Sequence, residues 1–102
     1  MFFCASIVEG KIADSINNVD LIIEEKVNEK GENYGDDYMV HNRNEFPIRF
    51  SIKLSDSMNA IDNLLKNTII VEPDQTASVG AVIMDDRSKE SNWSYEIQVK
   101  PD

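Results

Sequence analysis

The chain has one cysteine, Cys4, and one histidine, His41, among its 102 residues. A single cysteine closes no intrachain disulfide and fixes no compartment. One cysteine with one histidine is also too few for a zinc site. The four glycines (Gly10, Gly31, Gly35, Gly80) stand singly, so there is no glycine-rich loop to cradle a phosphate. No apolar run approaches the roughly 18–20 residues of a membrane span. Basic residues are scarce as well: ten Lys and Arg face nineteen Asp and Glu, for a net charge of −9. They are scattered, so no basic face exists for nucleic acid, and an anionic membrane surface would repel the chain. Neither an internal repeat nor a low-complexity segment is present.

The acidity is distributed. Residues 1–51 hold ten acidic and five basic side chains, and residues 52–102 hold nine and five. A pI near 4.4 serves solubility by itself, and it also suits a basic protein partner. The 41% hydrophobic and 28% charged composition is that of a globular chain, and this length fits one domain over 1–102.

Periodicity sets the fold class. From Phe46 to Leu54 every even position is apolar (Phe46, Ile48, Phe50, Ile52, Leu54), while Arg49, Ser51 and Lys53 alternate with them. Side chains on a strand alternate faces, so this segment has one dry and one wet face. Trp93, Tyr95, Ile97 and Val99 alternate in the same way with Ser94, Glu96, Gln98 and Lys100. Further strands are expected over 2–8, 19–27 (with Glu25 interrupting the inner face), 38–41, 68–72 and 77–84. Residues 1–6, Met-Phe-Phe-Cys-Ala-Ser, are too short for a complete signal peptide, though they read either as the end of one or as part of a first edge strand. Residues 10–18 and 28–37 read as polar, turn-rich loops. Met58, Ile61, Leu64 and Leu65 recur at helical spacing, which predicts one short helical crossover near 57–66. Trp93, Tyr95, Phe46 and Phe50 lie on inner faces and are expected in the core. These features together predict an all-β, immunoglobulin-like antiparallel β-sandwich of about seven strands. The chain lacks the Cys…Trp…Cys pattern of antibody domains.

No catalytic motif is present. His41 has no local nucleophile or orienting acid. Asp36-Asp37 and Asp85-Asp86 fall in expected loops, but their spacing is not that of a calcium-binding loop. No cofactor or metal is implied. The candidate contacts are therefore loop residues: Tyr34, the aromatic expected to be exposed, with Asp36, Asp37, Asp85, Asp86 and Arg87.

Three pieces carry a resemblance: Val40-His-Asn-Arg-Asn-Glu-Phe-Pro-Ile48, then Val71-Glu-Pro-Asp-Gln-Thr76 followed by Val79-Gly80, and Trp93-Ser-Tyr-Glu96 before a closing strand. Across 38–102 the order of features resembles bacterial immunoglobulin-like β-sandwich accessory domains of the kind found beside cell-wall peptidases. The resemblance implies a non-catalytic role, and no peptidase residues are present to carry over. The expectation is a binding or accessory module for a protein or cell-surface partner. Two rival classes stand beside it. One is an acidic inhibitor or immunity-type protein that blocks a basic enzyme. The other is a small enzyme built on His41, which requires nearby carboxylates to converge on a concave pocket.

Overall fold

The computed structural model describes residues 11–102. The strand expected over 2–8, and Cys4 with it, lies outside the described residues. Among those described, 66% are in strands and none in a helix. In chain order the strands are β1 (Lys11–Ile16), β2 (Val19–Val27), β3 (Asn33–Asn42), β4 (Ile48–Met58), β5 (Ala60–Ile61), β6 (Thr68–Val71), β7 (Thr76–Met84) and β8 (Asn92–Pro101). They form a five-stranded sheet, β1-β2-β3-β7-β5, and a three-stranded sheet, β6-β4-β8. Every pairing is antiparallel.

The core lies between the two sheets. Ile48, Phe50 and Ile52 of β4, with Val71 of β6, pack against Val19, Leu21, Tyr38, Val40, Val79 and Val82 of the first sheet. The alternation from Ile48 onward therefore places its side chains as expected. Phe46 does not follow: it precedes β4 and is 47% exposed. Pro47, which has no N–H to give a ladder, sits just before the strand, and its carbonyl accepts the Asp102 N–H at 3.0 Å. Trp93, Tyr95, Ile97 and Val99 face the core but are only partly buried, because β8 is an edge strand with no described neighbour beyond it. The Trp93 indole N–H donates to the Tyr38 hydroxyl at 2.8 Å, which satisfies both polar tips at the margin of the core.

The expected helical crossover is absent. β4 continues to Met58, and Asn59, at φ 56°, turns the chain across to the other sheet. Ala60 and Ile61 then pair with Met84 and Ile83 of β7. Beyond them the Lys66 N–H donates to the Val79 carbonyl, and the Leu64 carbonyl accepts the Ala81 N–H. A helix of one or two turns must offset a costly nucleus, whereas the open edge of β7 offers ready backbone partners. Met58 and Leu64, half of the helical pattern, are more than half exposed. The close approach of this segment explains Gly80: its φ is +110°, and a Cβ there would collide with the Leu64 carbonyl oxygen.

Two expected loops also shrink. The 10–18 segment contains β1, and only Asn17 and Asn18, at φ 52° and 61°, make the hairpin turn, where two positive φ values favour Asn. All six β1 residues are exposed, which erased the alternation that marks a strand. In the same way the 28–37 loop is a turn only as far as Glu32, and Tyr34, Asp36 and Asp37 lie on β3. Glu25 falls where β2 runs past the covered part of the inner face and is exposed.

Candidate functional site

Two loops meet at one end of the sandwich. The β2–β3 loop, residues 28–32, is organised by Asn28. Its Oδ1 accepts the Lys30 and Glu32 N–H groups at 2.9 and 3.0 Å, and its backbone N–H donates to the Glu32 carbonyl at 3.0 Å. Gly31, at φ +79°, supplies the left-handed position the turn requires. The β7–β8 loop, residues 85–91, is held by Asn59 from the β4–β5 turn. The Asn59 side chain donates to the Asp86 carbonyl at 2.7 Å and accepts the Asp86 N–H at 2.8 Å. Asp86 in turn accepts the Ser88 hydroxyl at 2.7 Å and the Ser88 N–H at 3.0 Å. These two bonds hold its carboxyl below the ordinary carboxylate range.

Between the loops lies an open hollow of about 770 Å³. Of the sequence candidates, Tyr34, Asp85, Asp86 and Arg87 line it together. Val27 and Met84 add an apolar floor, and four carboxylates (Glu29, Glu32, Asp85, Asp86) outnumber two cations, Lys30 and Arg87. The arrangement can seat an extended side chain with a cationic end, its stem against Val27, Tyr34 and Met84.

Asp36 and Asp37 do not join it. Asp37 is paired with Lys26 at 3.0 Å, and the Lys26 ammonium also lies 6.0 Å from the Tyr34 ring centre. Asp36 sits opposite Glu25 in register. Burial first, then the charges of Glu25 and Asp37, pushes its carboxyl up.

His41 belongs to a different surface. Ser15, Asp20, His41 and Thr76 are successive partners across β1, β2, β3 and β7. The Asp20 carboxylate accepts the Ser15 hydroxyl at 2.6 Å and two Arg43 N–H groups at 3.0 and 3.1 Å. Burial pushes Asp20 up, but the Ser15 and Arg43 hydrogen bonds and charge outweigh it and hold the carboxyl below its ordinary range. His41 Nδ1 lies 2.8 Å from the Thr76 hydroxyl, and Nε2 lies 3.5 Å from Asp74. The Asp74 side chain is 91% exposed, so water competes for its orientation of the imidazole. His41 does not line the hollow. Among the described residues no group of three or more His, Cys, Asp or Glu side chains is placed to hold a metal ion, and no helix is long and apolar enough to cross a membrane.

The residues that sequence reasoning missed are Asn59 and Asn42. Asn42 is fully buried, where its side chain ties the β3–β4 turn to the end of β6. The cluster of asparagines at 42–44 signalled a turn, but nothing local signalled burial. Fold and hollow together define an all-β protein of two antiparallel sheets with its two acidic loops at one end. Comparison with known proteins returned no match to any family model, curated protein or solved structure.

Proposed function

We propose that this protein is a non-catalytic binding or accessory module that engages a protein or cell-surface partner through the hollow at the loop end of the sandwich. One observation carries this reading: two loops far apart in sequence, both held by asparagine side chains, bound one concave surface lined by Asp85, Asp86 and Arg87 together with Tyr34 of β3. The excess of carboxylates favours a basic segment of the partner. Classification with the immunoglobulin-like sandwiches draws support from the two antiparallel layers and from the chain crossing between them at every connection from β3–β4 to β7–β8.

The net charge of −9 favours a second reading, an acidic inhibitor or immunity-type protein that blocks a basic enzyme. Both readings meet in one experiment. A photo-crosslinker at Arg87 captures the partner, and association is then followed against ionic strength for the native chain and for Tyr34→Ala. The expected result is a captured partner whose affinity falls at least about tenfold in Tyr34→Ala, as for an aromatic anchor. An inhibitor of a basic enzyme also requires an association rate that drops steeply with salt. A partner that binds Tyr34→Ala as tightly as the native chain overturns the assignment to this hollow.

A further inference from the structure

Among the described residues the two sheets have four edge strands: β1 and β5 on the first, β6 and β8 on the second. Natural sheets blunt their edges by making them short or bulged, or by placing charges and proline on them; β8 carries Glu96, Lys100 and Pro101 but is neither short nor bulged. β5 has two residues, β6 has four, and β1 has six with an irregularity between Ile12 and Asp14. β8 has ten, and among the described residues no strand pairs with its outer side.

The backbone groups it offers follow from the register. Ile48 lies opposite Pro101, and the Asp102 N–H donates to the Pro47 carbonyl. Hydrogen-bonded pairs alternate along an antiparallel ladder, so Lys100, Gln98 and Glu96 direct their N–H and C=O groups at β4. Val99, Ile97 and Tyr95 direct theirs away from β4, to the side where no described strand lies.

Two charges of opposite sign stand along β8. Glu96 and Lys100 stand on the solvent face, each two residues from Gln98. Inside the chain Glu96 lies opposite Lys53, and Lys100 lies opposite another cation, Arg49, which already binds Asp102 at 3.1 Å. Neither Glu96 nor Lys100 takes part in an ion pair among the described residues.

We propose that β8 is a self-pairing edge: two copies of the chain associate through antiparallel β8 strands about a two-fold axis at Gln98. That register sets Glu96 opposite Lys100 of the second copy, twice, in the non-hydrogen-bonded pairs where side chains lie closest. Ile97 and Val99 exchange backbone hydrogen bonds across the axis. Their half-buried side chains, with that of Tyr95, gain cover, and the two three-stranded sheets become one. The contact is small, so the dimer is a weak one. At about 0.15 M ionic strength the Debye length is about 8 Å, which screens the net negative charge of each copy while the facing pairs persist.

The test is sedimentation velocity with amide NMR up to about 1 mM protomer. The native chain is expected to dimerise with concentration, with shifts concentrated at the amides of Tyr95, Ile97 and Val99. Lys100→Glu, which sets two carboxylates face to face and gives Arg49 a favourable neighbour, should weaken the dimer about tenfold or more. The double exchange Glu96→Lys with Lys100→Glu should restore it. Native-like spectra of the monomers show that the variants fold. A chain that stays monomeric at 1 mM, shifts that map elsewhere, or a double variant no stronger than the single would each overturn the proposal.

Discussion

Replacing Asn42 by alanine directly tests the packing at the end of the core away from the hollow. The residue is fully buried. Its Nδ2 donates to the carbonyls of Phe46, Val71 and Glu72 at 2.9, 3.0 and 3.3 Å. Its Oδ1 accepts the Asn44 backbone N–H at 2.9 Å and the Asn44 side-chain amide at 3.0 Å. Alanine removes all of these while leaving the backbone bonds of residue 42, to the Gln75 carbonyl and from the Asp74 N–H. The Val71 carbonyl keeps the Ile48 N–H that the ladder register sets against it, but the part-buried Asn44 N–H loses its partner, and an unsatisfied buried group costs about 1–3 kcal/mol. With the side-chain bonds to three carbonyls also gone, the expected loss is about 2–3 kcal/mol, a large share of the roughly 5–15 kcal/mol that holds a domain together. With a urea slope of about 1–3 kcal/mol per molar, the unfolding midpoint should fall by roughly 1 M. Aspartate at the same position keeps one acceptor but turns a second oxygen toward three carbonyls. Asn42→Asp should therefore be at least as damaging as alanine at pH 7 and should recover toward acid, where the carboxyl can donate a proton. A loss below about 1 kcal/mol for alanine, or an aspartate variant that behaves as alanine does at every pH, would refute the reasoning.

Two further outcomes are expected. Asp20 has its carboxyl held below the unfolded value of 3.8, so its contribution is present above that pH and is lost as pH falls through the folded value. Asp20→Asn should cost about 1–2 kcal/mol at pH 7, limited because Arg43 is half exposed, and urea unfolding between pH 2 and about 6 should show a shallower acid loss than in the native chain; equal slopes would remove Asp20 from the account. Gly80→Ala should lower stability by at least about 1–3 kcal/mol through the Leu64 collision and the positive φ; a thermal midpoint within about 2 °C of the native value would contradict the close approach of residues 64–66 to β7.

Local pattern alone determined that this chain is built of strands, and it determined which face of two of them is dry. Ile48, Phe50 and Ile52 are each at most 2% exposed, as a period of two requires. Trp93, Tyr95, Ile97 and Val99 point inward. Tertiary structure decided how far each position is covered, because coverage depends on what lies across the sandwich and beside the strand. β1 is exposed throughout and β8 is half-buried for that reason, and polar Asn33 to Asp37 extends a strand with no local sign of it. The crossover shows the same limit: Met58, Ile61, Leu64 and Leu65 carry a helical spacing, but the free backbone edge of β7 settles their conformation. The candidate site divides likewise. Tyr34, Asp85, Asp86 and Arg87 were legible as polar, contact-prone residues, whereas their convergence, and the removal of Asp36 and Asp37 to the side of β3, follow from a β3–β7 register that pairs Gly35 with Ile83. Hydrogen bonds between residues distant in sequence, such as those of Asn42 to Val71 and of Asn59 to Asp86, exist only once both segments are in place. A side chain's type and periodicity are local properties that sequence carries, and its partners are set by the folded chain.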